Sequence, residues 1–146
     1  MAIINITNDS FSDGGLYLDA ESALNHARFC IEQGAHILDL GAQSTRPGAS
    51  DVGPEIEIHR LLPVIKEIKS IYPDTLISVD TFNHSVAYES LKCGADLIND
   101  VSGGRLDPEI FKVVAEFRCP YILMHSRGNS INMDKLIVYE NIIEDV

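Results

Sequence analysis

The sequence lacks long apolar runs and is poor in cysteine. Its apolar runs, such as 121–124 and 136–138, are far shorter than the roughly 20 residues that a membrane-spanning helix needs. Cys30, Cys93 and Cys119 are odd in number and have no CxxC spacing, so the sequence indicates neither a disulfide framework nor a zinc site. Each lies in or beside an apolar segment, and we expect all three to be structural thiols.

Positive charge is also scarce. The chain has 11 Lys and Arg against 22 Asp and Glu, which gives a formal net charge of -11. Nucleic acids and anionic membranes bind surfaces rich in Lys and Arg, so the composition disfavours both as partners. The first five residues are typical of a buried strand and not of a basic and then apolar signal sequence, so we expect a cytoplasmic protein.

The residues that are present predict an α/β fold. The chain has 146 residues and is 45% hydrophobic, as is typical of one globular domain. Short apolar runs predict buried parallel strands at 2–5, 36–40, 76–80, 96–99 and 121–124. Apolar residues at helical spacing predict helices at 20–33, 54–71, 85–92 and 108–117, with the beginning of another between 136 and 146. The resulting β-α order repeats along the chain.

Residues typical of helix ends support these boundaries. Asp19 is placed to cap the first helix and Gly34 to end it, while Asp107 followed by proline predicts another helix start. The segment 34–39, Gly-Ala-His-Ile-Leu-Asp, is echoed by 94–99, Gly-Ala-Asp-Leu-Ile-Asn. In each segment a helix-ending glycine precedes a strand that ends in a polar residue, which indicates a repeated βα unit.

The predicted strand ends favour a TIM (β/α)8 barrel over an open doubly wound sheet. Polar residues stand at all five ends, namely Asn5, Asp39, Asp80, Asn99 with Asp100, and His125. A barrel builds its active site from every βα loop, whereas an open sheet concentrates its site at one switch point. No GxGxxG follows the first strand. Because a barrel needs roughly 250 residues, we expect this chain to hold only about the first five βα units of a longer polypeptide.

Two of the predicted βα loops are rich in groups that bind ligands. The first, 5–15, is dense in hydroxyls, carboxylates and glycines and longer than a connection requires, so it is either a surface turn or a lid over a ligand. The second contains Ser-Thr-Arg-Pro-Gly at 44–48. Its Arg46 could hold a phosphate through two parallel hydrogen bonds, or it is simply solvated.

Asp80 and Asn99 end the third and fourth predicted strands. Burial of a carboxylate at an apolar strand end is costly unless a partner donates hydrogen bonds to it. That partner is either neighbouring backbone, as in a helix cap, or a flat heterocycle with adjacent N–H groups, such as a 2-amino-4-oxo pteridine. The Asn99 amide both donates and accepts, so it could meet such a ring from another edge.

Five motifs, in this order and spacing, together resemble the dihydropteroate synthase family of pterin-binding enzymes. They are Asn5 to Gly15, Ser44 to Gly48, Val79-Asp80-Thr81, Asn99 to Gly103 and Leu123-Met124-His125. The resemblance spans essentially the whole chain and implies that residues 1–146 are part of a pterin-binding barrel domain. It implies a transferase of folate biosynthesis that joins 4-aminobenzoate to (7,8-dihydropterin-6-yl)methyl diphosphate and releases diphosphate.

The resemblance also implies roles for residues near the pterin. Asn5 approaches Mg²⁺, the implied cofactor, which is carried on the diphosphate; an amide oxygen is a suitable ligand for this hard cation. Asp80 and Asn99 hold the pterin ring, and Met124 packs beside it. Among the residues near the pterin, Asp80 is the one that we expect to contribute to catalysis.

At the other end of the implied site, Thr45 and Arg46 serve the diphosphate and the 4-aminobenzoate. Arg46 is expected to be catalytic there, because a diphosphate leaves readily once its charge is neutralised. The first loop closes over both substrates through Asp9, Ser10, Phe11 and Ser12. The family further implies that the complete enzyme is a homodimer.

The chain departs from the family pattern in two places. Asn8 stands where the family loop often has proline, and Ala42-Gln43 replaces a common Gly-Glu; we expect neither change to abolish function. The family's later pterin-binding aspartate, lysine and Arg-x-His anion site would lie beyond Val146, so we expect the isolated chain to be inactive. The alternatives are a pterin-dependent methyltransferase domain and a non-catalytic pterin-binding half-barrel.

Several polar residues outside these motifs have simpler interpretations. Those expected to be solvated on helix faces are His26, His59 and His84 and the acidic residues Glu55, Glu57 and Glu67. His125 and Arg127 leave the fifth strand on the loop face, where they either contact an anion or hydrogen-bond within the loop.

Overall fold

The computed structural model describes residues 1–6, 15–43, 52–125, 127 and 136–146, with the backbone alone for 15–19. In chain order its elements are β1 (Ala2–Asn5), α1 (Gly15–Glu32), β2 (Ile37–Gly41), α2 (Pro54–Ile71), β3 (Leu76–Asp80), α3 (His84–Cys93), β4 (Leu97–Asp100), α4 (Ile110–Phe117), β5 (Tyr121–Leu123) and α5 (Ile142–Asp145). Within the described part of the chain, no helix is both long and apolar enough to cross a lipid bilayer.

The strands form one parallel sheet in the sequential order β1-β2-β3-β4-β5. A doubly wound sheet reverses its strand order at a switch point, whereas a barrel adds each strand beside the previous one. The sequential order is therefore that of the first five βα units of a (β/α)8 barrel, as the sequence predicts.

The two faces of the sheet differ in what covers them. Side chains alternate along each strand, so Leu38, Leu40, Ile77 and Val79 share one face and are fully buried in a core with the helices. Burial of each such side chain stabilises the fold by about 1.5–3 kcal/mol. The opposite face, called the inner face below, carries Ile3, Asn5, Asp39, Gly41, Ser78, Asp80, Asn99 and Ile122.

The two similar segments, 34–39 and 94–99, begin with the same helix-to-strand turn. α1 and α3 are each followed by a glycine with positive φ, 90° at Gly34 and 113° at Gly94. In both turns the N–H groups of the glycine and of the next alanine donate to carbonyl oxygens of the last helical turn. This left-handed conformation favours glycine, so the predicted repeat of a helix-to-strand turn is confirmed.

α1 begins earlier than predicted. It starts at Gly15, so Asp19 lies inside the helix, and the prediction that Asp19 caps it is wrong. The intervening Leu-Tyr-Leu segment contains no proline, and glycine at a first helical position costs little, so nothing in the sequence stops the helix at Asp19.

α4 begins later than predicted, at Ile110 and not at Pro108, because the preceding residues form a turn in which the Ile110 N–H donates to the Asp107 carbonyl oxygen at 3.1 Å. Asp107 caps this turn, since its Oδ1 accepts from the Glu109 N–H at 3.3 Å, and its carboxylate has further partners. One oxygen, Oδ2, accepts a hydrogen bond from the His84 N–H at 2.9 Å and lies 2.6 Å from His84 Nδ1. Burial raises the pKa of Asp107, but the hydrogen bonds from His84 outweigh it and hold that pKa below its usual value. His84 is thus half-exposed but bonded, and it ties the start of α3 to the turn before α4.

Cys30, Cys93 and Cys119 are free and half-buried. Burial raises the pKa of the Cys93 thiol and of the Cys119 thiol above their ordinary value. Because the thiolate is the reactive form of cysteine, a raised pKa makes these two thiols less nucleophilic at neutral pH.

Asp100, at the end of β4, lies on the helix side of the sheet and is fully buried. Its Oδ1 accepts from the Ser102 N–H at 2.7 Å, and its Oδ2 accepts from the Gly104 N–H at 2.8 Å and the Tyr121 hydroxyl at 2.7 Å. Three donors offset the cost of burying the carboxylate. Burial, and then this bond to Asp100, raise the pKa of Tyr121. The network fixes the loop after β4 and joins it to β5.

Tyr121→Phe should lower the free energy of unfolding by about 1–3 kcal/mol, because it removes one of the three donors and leaves a buried carboxylate oxygen underbonded. Urea unfolding followed by circular dichroism measures the change. The control is Tyr88→Phe; Tyr88 packs edge-to-face on Phe117, and no hydrogen bond of its hydroxyl is found among the described residues. Equal stabilities of the two variants would contradict the role given to the Asp100 network.

Candidate active site at the strand ends

The predicted site residues fall into two groups. Asn5, Asp80 and Asn99 end or nearly end β1, β3 and β4, and Met124 directly follows β5. The predicted residues that lie outside the described ranges are Asp9, Ser10, Phe11, Ser12, Thr45 and Arg46. The described site residues therefore lie at the ends of the strands.

Asn5 and Asp80 meet across Gly41. The three residues are in register on neighbouring strands, with Gly41 between the other two. A Cβ placed on Gly41 would lie 3.6 Å from Asn5 Oδ1 and 3.6 Å from Asp80 Oδ2. The missing side chain thus leaves open space bounded by two oxygen acceptors.

The Asp80 carboxyl is half-buried and holds its proton unusually tightly. Its pKa is raised to about 6, chiefly by burial and further by the charges of Asp39 and Asp100. A ligand that donates hydrogen bonds to the ionised form would offset this cost. A perturbed carboxyl at the carboxyl end of a barrel strand is the position and property expected of a binding-site residue.

Asn99 is bonded to a residue that the sequence reasoning did not assign to the site. Its Nδ2 donates to Asp39 Oδ2 at 3.1 Å, across the short Ser78 side chain of the intervening strand. Asp39 is only 4% exposed, and its buried Oδ1 has no hydrogen-bond partner among the described residues. The signal was present, since Asp39 and Asn99 occupy equivalent positions of the sequence echo.

Apolar atoms border the other side of Asn99. Ile122 is in register with Asn99 on β5, and Met124 lies beyond it, 37% exposed. The loop after β4 approaches Met124 so closely that a Cβ on Gly103, which has a φ of 60°, would stand 2.8 Å from the Met124 carbonyl oxygen. Acceptors on one side and apolar atoms on the other suit a flat, polar-edged ring.

Glu57 does not lie on a solvated face, so that prediction is wrong. Only 2% of it is exposed, whereas Glu55 and Glu67 are exposed as predicted. Its Oε2 accepts from the Thr81 hydroxyl at 3.2 Å, and that hydroxyl oxygen accepts from the Asn83 N–H. Glu57 precedes Leu61 by four positions on the buried stripe of α2, a spacing that predicts burial. The contact fixes the turn that directly follows Asp80.

His125 and Arg127 hydrogen-bond within the loop, which is one of the two alternatives raised by the sequence. Arg127 Nη1 donates to the Val138 carbonyl oxygen at 2.8 Å, and its guanidinium lies 4.9 Å from the centre of the Tyr139 ring. The Tyr139 hydroxyl is 3.3 Å from His125 Nε2. These exposed contacts hold the segment from Val138 to Tyr139 against the end of β5. His26 and His59 are exposed on their helices, as predicted.

Ala42, one of the two departures from the family pattern, is accommodated in the core. Its side chain is fully buried, and its carbonyl oxygen accepts from Arg60 Nη1 at 2.8 Å. A small apolar residue fits this position, so the start of the second ligand-rich loop is anchored to α2.

Comparison with known proteins agrees with this geometry. A model of the family described as pterin binding enzyme matches residues 1–146. The chain is 49% identical to the folic acid synthesis protein of Pneumocystis carinii over 147 residues, and 43% identical to the dihydropteroate synthase of Synechocystis over 146 residues. Both matches cover all of this chain, but only 20% and 50% of the relatives.

A solved structure extends the agreement to the fold. The chain matches the dihydropteroate synthase of Xanthomonas albilineans, determined with 4-aminobenzoic acid, at a TM-score of 0.81 and 38% identity. The match covers 99% of this chain and 50% of that enzyme, so the chain spans about half the length of such proteins. By family model, sequence and fold, the chain belongs to the pterin binding enzyme family.

Proposed function

We propose that this chain supplies the pterin-binding part of a dihydropteroate synthase active site. The observation that carries the proposal is the half-buried Asp80 carboxyl, with a pKa of about 6, beside Asn99 on the inner face. The reaction joins 4-aminobenzoate to (7,8-dihydropterin-6-yl)methyl diphosphate. The 4-aminobenzoic acid in the Xanthomonas enzyme supports this choice of co-substrate, and relatives named as synthases support it over the methyltransferase alternative.

The pterin ring would be held by complementary hydrogen bonds. Its 2-amino and ring N–H groups are adjacent donors, and Asp80 is an acceptor for which the described part of the chain supplies no donor to offset its burial. Donation from the ring would stabilise the ionised carboxylate. Ile122 and Met124 would pack on the ring, as aromatic and aliphatic groups do in ligand pockets.

The diphosphate end would be served by Asn5 and by residues outside the described ranges. Asn5 Oδ1 borders the open space at Gly41 together with Asp80 Oδ2, so a hard oxygen donor is available there. Mg²⁺ takes few protein ligands and keeps water and phosphate oxygens, so this sparse set fits it. Among the described residues no group of three or more His, Cys, Asp and Glu side chains could hold a metal. When bound, the ion would neutralise charge on the leaving diphosphate, an effect that Thr45 and Arg46 would share.

In the proposed reaction, the protein acts mainly by positioning the two substrates. The bond between the pterin methylene carbon and the diphosphate oxygen breaks, and the amine nitrogen of 4-aminobenzoate bonds to that carbon and loses a proton to solvent. The amine is neutral at pH 7, so no strong base is required. Asp80 and Asn99 would fix the ring, and the loop of Asp9, Ser10, Phe11 and Ser12 would close over both substrates.

The family resemblance also supports a cytoplasmic homodimer as the state of the complete enzyme, and it supports inactivity of residues 1–146 alone. Sedimentation equilibrium of the complete enzyme tests the first proposal. An assay of product formation by residues 1–146 alone tests the second, and turnover would contradict it.

In the protein that carries this chain, Asp80→Asn should weaken pterin binding roughly tenfold to hundredfold, because a hydrogen bond to a charged group contributes about 1.5–3 kcal/mol. Isothermal titration calorimetry with pterin measures the change. Asp74→Asn, an isosteric change at an exposed turn, should bind like the wild type. Full affinity in Asp80→Asn would mean that another group anchors the ring.

The same variant should become more resistant to urea near neutral pH. The pKa of Asp80 rises from 3.8 to about 6 on folding, so its contribution to stability is present below the lower value and is lost as pH rises through the higher one. Asp80→Asn removes that loss, and at about pH 3 the two proteins should be equally stable. A carboxylate with a purely structural role would give the opposite result at neutral pH.

Pterin affinity should rise with pH through about 6 and level off above about 7, because the ionised form of Asp80 accepts the hydrogen bonds. Calorimetry at constant ionic strength between about pH 5 and 8 follows the profile. Asp80→Asn should flatten it. A flat profile in the wild type would contradict a role for Asp80 ionisation.

A further inference from the structure

Asp39 differs from fully buried Asp100, and from half-buried Asp96 just before β4, in how many hydrogen bonds its carboxylate accepts. Asp100 bonds three donors, and Asp96 Oδ2 accepts from Lys69 Nζ and from the Ile77 N–H, each at 2.7 Å. Asp39 is 4% exposed, and in the described structure it receives one hydrogen bond, from Asn99, while Oδ1 has no partner. A buried acceptor without a donor costs stability, so a contribution to folding does not account for Asp39.

The contact determines which way the Asn99 amide points. A carboxylate only accepts hydrogen bonds, so the NH2 end of the Asn99 amide must face Asp39, at the observed 3.1 Å. The amide oxygen is then left for the pocket. Without Asp39, either end of the amide could face a ligand.

With the Asn99 amide in this orientation, three neighbouring side chains present hydrogen-bond acceptors to the pocket. Asn5 Oδ1 and Asp80 Oδ2 already border the space at Gly41 as acceptors, and Asn99 is in register with Asp80 on the next strand. With its NH2 group engaged by Asp39, Asn99 adds a further acceptor. Such a wall favours ligand edges that carry adjacent N–H donors and disfavours a carbonyl in their place.

We propose that Asp39 is a positioning residue that fixes the Asn99 amide and so makes the pocket select a 2-amino over a 2-oxo pteridine. This inference rests on the proposed function, since it assumes that a pteridine binds at Asp80 and Asn99. Asp39 does not have to touch the ligand to set this preference.

The test compares binding of pterin and of lumazine, its analogue with oxygen in place of the 2-amino group, by calorimetry at pH 7 in the protein that carries this chain. The wild type should prefer pterin. Asp39→Asn should reduce the pterin-to-lumazine affinity ratio by about tenfold or more, because Asn99 can then turn its NH2 group toward the ligand.

Two further variants separate selectivity from stability. Asp96→Asn is an isosteric change at the opposite end of the sheet that removes the negative charge paired with Lys69; it should lower stability and keep the wild-type ratio. The exchange Asp39→Asn with Asn99→Asp keeps one amide, one carboxylate and their hydrogen bond, and it presents a carboxylate oxygen to the ligand. It should restore the preference for pterin, and it serves as the test if Asp39→Asn alone does not fold.

The outcomes are distinguishable. If the wild type binds neither compound, the proposed function is wrong. If the wild type prefers pterin and Asp39→Asn keeps the full ratio, Asp39 does not set the preference and the inference is overturned. An exchange variant that folds but lacks the preference overturns it as well.

Discussion

The parallel register of the sheet is the constraint on which the rest of the site depends. Asn5, Gly41, Asp80 and Asn99 form one row across four neighbouring strands. Because side chains alternate, a slip of one residue in any strand would turn its member of the row toward the helices. Leucine, isoleucine and valine side chains on the helix side prevent such a slip, since it would expose them. The apolar core has no part in the chemistry, yet it decides which polar groups meet.

The aspartates of the sheet region fall into two groups, according to whether the described residues donate a full set of hydrogen bonds to their carboxylate oxygens. Asp96, at the amino end of the sheet, and Asp100, on the helix side, have donors supplied by backbone, lysine or tyrosine. On the inner face, Asp39 and Asp80 do not have a full set within the described structure. The satisfied carboxylates thus lie at the amino end or on the helix side of the sheet, whereas the inner face at the carboxyl ends holds acceptors that a ligand would complete.

Strand positions, the barrel order and the placement of Asp80 and Asn99 on one face follow from the sequence, because period-two alternation and the βα echo are local patterns. Side-chain partners do not follow in this way. Thr81 contacts Glu57 from 24 residues away, and Asn99 contacts Asp39 from 60 residues away. Asp107 illustrates the same limit, since its position predicts the capping bond that its Oδ1 accepts from the Glu109 N–H, but not the contact of its Oδ2 with His84 at the start of α3. Local sequence patterns predict where a residue lies in the fold, whereas contacts between distant segments determine which partners its side chain has.

At Gly41, which lies within this row, the side-chain size that the fold tolerates differs from the size that ligand binding tolerates. A methyl group there would meet Asn5 and Asp80 at ordinary contact distance, so the backbone and core would accept alanine. The same methyl group would fill the space between the two acceptors. An alanine at this position would therefore pass selection for a folded, abundant protein and be removed only by selection for what enters the pocket. Variation at Gly41 among natural sequences would record changes of ligand and not losses of structure.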